Sequence, residues 1–218
     1  MNIDEYRRKY PSGEASPGWD AINERLLQVY AAQEPQHWAA TPHASLGGPD
    51  PLDGISIYKS TAGNANHLHF VTYGFSNLYY DEAAVGGEFS RFGFELTFRL
   101  RPPKGDSDRP PWVYNLLQNI ARYVFKSGRW FEEFHFMPTG GPIKQGFDSD
   151  ITAIAFVTDP QLGKIDTPHG QVGFLQVFGI TTLEFERLKE ESLTPEQLFA
   201  EEAKRNPLFI TDLARRGA

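Results

Sequence analysis

Between Phe92 and Leu100 the chain alternates without a slip. Phe92, Phe94, Leu96, Phe98 and Leu100 fall on one side; Gly93, Glu95, Thr97 and Arg99 fall on the other. A period of two held this long predicts a β-strand with one wholly apolar face. After a Pro/Gly/Asp loop at 102–111 the period changes. Val113, Leu116, Leu117, Ile120, Ala121, Val124 and Phe125 follow helical spacing and make an unbroken apolar stripe. Ser127-Gly128 supplies a helix stop. An apolar strand face and an apolar helix stripe predict that this helix packs on the sheet.

The remaining elements fit the same plan. Ser16-Pro17 reads as an N-cap with proline at the first helical position, and Trp19, Ile22, Leu26 and Val29 mark one face of a helix over 17–32. Strands are predicted over 54–60, 67–80, 151–157 and 171–181, with a short closing strand at 208–211. Thr194-Pro195-Glu196-Gln197 is a capping box that opens a helix to about Arg205. Residues 1–15 are polar and read as a loose arm, 33–54 as a Pro/Gly-rich connection, and 214–218 as a tail. The fold class expected for 16–213 is α+β: one domain with a central, mostly antiparallel mixed sheet and helices packed against it.

The net charge is −7 and no Lys/Arg run occurs, which argues against nucleic acid and suits a basic partner. Cysteine is absent, excluding disulfides and thiolate chemistry. The N-terminus has no apolar leader and no stretch approaches the ~18–20 apolar residues of a membrane span. The expectation is a cytoplasmic protein without membrane contact. P-loop, dinucleotide-glycine and nucleophile-elbow patterns are missing, and no cofactor is expected.

Residues 46–53, Leu-Gly-Gly-Pro-Asp-Pro-Leu-Asp, form a stiff, shaped loop, because each proline restricts itself and its predecessor. Asp50 and Asp53 either ligate a hard cation or tie the turn by hydrogen bonding.

Six blocks resemble the Suppressor of fused family: Leu46–Asp53 (LGGPDPLD), Tyr73–Tyr79 (YGFSNLY), Phe92–Leu100 (FGFELTFRL), Ala121–Phe125 (ARYVF), Phe174–Gly179 (FLQVFG) and Ile210–Leu213 (ITDL). They occur in register along nearly the whole chain and match the N-terminal lobe of the two-lobed animal protein. The resemblance implies a non-enzymatic protein-binding module. The animal protein clamps a short peptide between its lobes as an added strand. With one lobe that clamp cannot form in the same way. The shorter, bacterial-type relatives imply an immunity protein that binds and neutralises a toxin. The resemblance also implies that Asp50 and Asp53 tie the turn, and that Glu95 and Arg99 belong to a structural family motif.

The expected partner surface is Tyr123, Trp130, Phe131, Glu132, Glu133 and His135, where aromatics and acids interleave beyond the 113–126 helix. Tyr123 carries over as the tyrosine of the Ala121–Phe125 block. The partner is another protein, a toxin or a peptide segment, with a basic one favoured by charge. The alternative is a metal-dependent enzyme: His67 and His69 share one strand face, and Glu95 and Asp53 would complete the ligand set. Glu95 and Arg99 lie about 13 Å apart at ~3.3 Å per residue, so each needs a partner on a neighbouring strand.

Overall fold

The computed structural model describes residues 1–11, 13–31, 33–40 and 48–217. Leu46 and Gly47 of the proline-rich loop lie outside the described residues. Among the described residues nine strands form one sheet: β1 (Gln36–Ala39), β2 (Gly54–Ser60), β3 (His67–Tyr73), β4 (Phe89–Arg101), β5 (Phe136–Pro138), β6 (Ile151–Thr158), β7 (Lys164–Thr167), β8 (Gly170–Thr181) and β9 (Thr211–Asp212). The main path runs β1-β2-β3-β4-β8-β6-β5. Only the β4–β8 and β4–β9 pairings are parallel, so the sheet is mixed and mostly antiparallel, as expected. The described residues also form five α-helices: α1 (Ile3–Lys9), α2 (Pro17–Tyr30), α3 (Pro111–Ser127), α4 (Thr182–Lys189) and α5 (Pro195–Arg205).

The two faces of the sheet are covered differently. The predicted strand–helix pair makes the main core. Phe94, Leu96, Phe98 and Leu100 of β4 meet Val113, Leu117, Ile120, Ala121 and Val124 of α3, with Leu175 and Val177 of β8 beside them. The opposite face carries two apolar clusters. One joins Ile22 and Leu26 of α2 to Tyr58, Val71, Tyr73 and Phe174. The other joins Leu188 of α4 and Leu198 and Phe199 of α5 to Ala155, Phe178 and Ile180.

Four sequence expectations change. Residues 1–15 are not a loose arm throughout: α1 is closed by a capping box between Asn2 and Glu5, and Tyr6 is fully buried. The Tyr6 hydroxyl lies 2.9 Å from His169 Nε2 and accepts the Asp81 N–H at 3.1 Å. Strand β3 stops at Tyr73 rather than continuing to Tyr80, because Gly74 takes φ 136° and turns the chain off the sheet. The closing strand is Thr211–Asp212, later than 208–211, and pairs in parallel with β4. Pro17 does open α2, but the Ser16 side chain makes no capping bond.

Candidate functional site

The proline-rich loop is pinned to α3. Asp50 accepts a hydrogen bond from the Tyr114 hydroxyl at 2.8 Å and pairs with the Arg122 guanidinium. The Leu52 N–H donates to Gln118 Oε1 at 3.3 Å, and the Leu52 side chain is fully buried. The Asp53 N–H donates to the Tyr73 carbonyl at 2.9 Å, and its own carbonyl accepts from Ala40. The loop is therefore a corner fixed at both ends, leading into β2.

Glu95 and Arg99 serve two separate buried arrangements on the second face. The Glu95 carboxylate accepts five hydrogen bonds: from the Thr72 and Ser76 hydroxyls, both at 2.7 Å, and from the N–H groups of Gly74, Phe75 and Ser76. It thus holds the turn after β3 together. Burial pushes its pKa up to about 7, against the pull of those donors toward the anion.

Arg99 sits at the centre of the other arrangement, between the two apolar clusters. Its Nη2 lies 3.2 Å from both Asp159 oxygens, its Nη1 3.0 Å from His67 Nε2, and its Nε 3.2 Å from Gln176 Oε1. Gln176 in turn donates to the Leu208 and Phe209 carbonyls. His69 Nε2 lies 3.0 Å from Asp159 Oδ2 and Nδ1 lies 2.5 Å from the Tyr30 hydroxyl. The Tyr30 hydroxyl partners Nδ1, whereas Nε2 lies close to the carboxylate without the alignment of a hydrogen bond. Burial first, and then Arg99, lower the His69 pKa to about 4. Burial opposes ionisation of Asp159, but His69 and Arg99 outweigh it and hold the carboxyl well below the usual range.

This arrangement overturns the metal reading. His67 and His69 do share a face, but a guanidinium fills the space where a dication would sit. Glu95 is committed to the turn at 74–76, and among the described residues no three His, Asp or Glu converge as metal ligands. Sequence reasoning missed Asp159, Tyr30 and Gln176. Asp159-Pro160 carried a turn signal, and Asp159 does accept the Gln161 and Leu162 N–H groups. Nothing local marked it as the partner of Arg99.

The expected partner surface is partly assembled as a groove. Helix α3 ends at Gly128, which takes φ 68° and donates to the Val124 carbonyl. The chain then crosses back over the sheet, where Phe131 stacks on Phe156 at 4.2 Å between ring centroids. Trp130, Phe131, Glu132 and Glu133 form one wall of a groove of about 600 Å³. Phe89, Arg91 and Phe92 form the opposite wall, and Phe94, Gly173 and Leu175 lie between them. Trp130 and Phe89 are 57% and 56% exposed, unlike every aromatic of the core. Tyr123, 42% exposed, stands outside the groove with its ring 5.7 Å from Phe131. His135 is also outside, its Nδ1 accepting the Glu132 N–H at 3.2 Å. The Trp130 indole N–H donates to Glu132 at 3.0 Å, and Glu133 accepts the Thr158 N–H at 3.0 Å.

A slip in the β4–β8 ladder opens this groove. Phe89 is opposite Gln171 and Phe94 opposite Gly173, so β4 advances five residues while β8 advances two. Arg91 and Gly93 take φ 54° and 80° at the bulge. Arg91 is held there by donating to the Gly74 carbonyl at 3.1 Å and lying 4.5 Å over the Phe125 ring. No helix among the described residues is long and apolar enough to cross a membrane.

Comparison with known proteins gives one consistent match. The family model described as Suppressor of fused protein (SUFU) matches residues 48–216. The Suppressor of fused homolog of Homo sapiens is 37% identical over 178 residues, covering 77% of this chain and 36% of that protein. The Mus musculus homolog matches to the same extent. The chain therefore spans about a third of the length of these curated relatives. Among solved structures, a chain of the Sufu–Fu complex superposes with a TM-score of 0.80 at 30% identity, over 94% of this chain and 93% of that one. Drosophila Suppressor of Fused gives a TM-score of 0.80 at 31% identity, over 93% of this chain and 51% of that one. A putative homolog from Neisseria gonorrhoeae, at 14% identity and a TM-score of 0.58 over 92% and 96%, shares the fold.

Proposed function

Because the chain belongs to the Suppressor of fused family, we propose that it is a non-enzymatic protein-binding module whose partner docks on the surface around Tyr123 and the Trp130–His135 segment. The groove beyond α3 carries this reading. It exposes Trp130 and Phe89, and neither Glu132 nor Glu133 has an ion-pair partner among the described residues. Exposed aromatics beside unpaired charge are what a protein interface buries at its centre and rim. The Sufu–Fu complex supports it, since a chain of that assembly shares this fold over nearly the full length.

The finer reading is a cytoplasmic immunity protein that neutralises a toxin. The net charge of −7 suits a basic toxin, attracting it at long range and favouring fast capture. Affinity capture from the native host tests the binding reading: one protein retained by the wild type and lost with Tyr123→Ala plus Glu132→Lys supports it, and no retained protein sinks it. Expressing the captured partner separately tests the toxin reading. Growth arrest relieved by this chain supports it; a harmless partner removes it and leaves binding intact.

A further inference from the structure

Resting on that reading, we propose that the groove is a slot for one bulky apolar side chain of the partner, adjacent in the partner's sequence to a lysine or arginine that meets Glu132 and Glu133. The slot follows from the pattern of β8. Val177 and Leu175 project into the core beneath α3, and Gly173 is the next position in that row. A row of buried side chains thus stops at a residue that has none, just where α3 has ended and the β4 bulge has moved away. The backbone does not demand glycine there. A Cβ at Gly173 would meet the Gly93 carbonyl oxygen at 3.7 Å and Lys164 Cγ at 3.9 Å, both ordinary contacts, and its φ is not left-handed. The missing side chain leaves an apolar space between Phe92, Phe94, Leu175 and Phe131, open to solvent beside Trp130. A Leu, Met or Phe from the partner restores the row and is shielded from water there.

The charges fix the neighbour and its direction. Glu132 and Glu133 stand on the Trp130 wall and Arg91 on the β4 wall across from them, while Lys164 of β7 pairs with Gly173 on the same flank of β8 as β6. Lys164, like the two acids, has no ion-pair partner among the described residues. A basic residue next to the seated side chain is drawn to Glu132 and Glu133 and repelled by Arg91. There it also lies within reach of the Trp130 ring face.

A random peptide library panned against the full chain provides the probe, followed by titration of the enriched peptides. The proposal expects Leu, Met or Phe next to Lys or Arg in the enriched sequences. It expects Gly173→Val, which fills the slot, to weaken them at least about tenfold, with Gly173→Ala intermediate and Glu133→Lys also weakening. Melting curves establish that both glycine variants are folded, and Gly173→Ala keeps the test usable if the valine is too large. Peptides indifferent to both glycine variants but lost with Tyr123→Ala overturn the slot while leaving the binding surface standing. Enrichment of acidic or purely polar peptides overturns it, as does no enrichment over empty support.

Discussion

Arg99 Nη2 lies 3.2 Å from each carboxylate oxygen of Asp159, and both side chains are sealed from water. Such a pair is expensive to break, because removing one partner leaves an uncompensated charge in a low-dielectric interior. Asp159→Ala is expected to destabilise the fold by about 3–5 kcal/mol. Urea unfolding of Asp159→Ala, Arg99→Met and the double variant checks this. The double variant should lose less than the sum of the singles, since its members share one contact; strict additivity would contradict the coupling.

His69 predicts an acid-sensitive limb. Its folded pKa, lowered to about 4, lies below the unfolded value of about 6.5. The unfolded state binds the extra proton between these limits, so this contribution is complete above pH 6.5 and lost as pH falls toward 4. Asp159, held below its ordinary range, adds loss at still lower pH. Stability measured against pH should fall less steeply below pH 6.5 in His69→Gln than in the wild type.

Glu95 acts with the opposite sign. Its folded pKa, pushed up to about 7, exceeds the ordinary glutamate value of about 4.5, so the folded state holds the proton more tightly. This contribution is complete below about pH 4.5 and is lost as pH rises through 7. Glu95→Gln should remove that loss, making stability flatter between pH 5 and 7. An unchanged slope in denaturant titrations would argue against a titrating Glu95.

Tyr6 fastens the N-terminal helix. Burial of its ring against Tyr80 and His169 predicts that Tyr6→Ala costs about 3 kcal/mol and frees residues 3–9. Hydrogen exchange should then accelerate across α1 while α3 stays protected. Equal exchange in wild type and variant would return the segment to a loose arm.

Tyr123→Ala combined with Glu132→Lys should weaken partner binding without shifting the melting temperature, because both side chains are exposed. The removed aromatic is expected to contribute about 1–2 kcal/mol at an interface. Titration calorimetry with the captured partner reads it directly, and unchanged affinity would exclude this surface.

Much of the fold was legible because it is written in short-range periods. The 92–100 alternation and the 113–125 stripe became β4 and α3, and Thr194 with Gln197 capped α5 as read. Elements shorter than a full pattern escaped: β1, β5 and β7 have only three or four residues each. Two capping boxes, Asn2 with Glu5 and Thr181 with Glu184, are local signals for α1 and α4. Within the candidate site, Trp130, Phe131, Glu132 and Glu133 came together in one groove, whereas Tyr123 and His135 stand outside it. Its far wall depends on a bulge that the regular alternation through Phe92 and Phe94 concealed.

The sequence by itself determined the long strands and helices, which face of β4 is apolar, and which family the chain belongs to. Those properties depend on neighbours within a dozen residues or on motif order. Tertiary structure alone decided that Arg99 would meet Asp159 sixty positions away, turning a pair of histidines from potential metal ligands into buried neighbours of an ion pair. It also decided that Asp50 would be tied to Arg122 and Tyr114, making the proline-rich loop a corner. The physical reason is common to both. A buried polar group must find its partner wherever the packed sheet brings one, and sheet order is not encoded in local spacing.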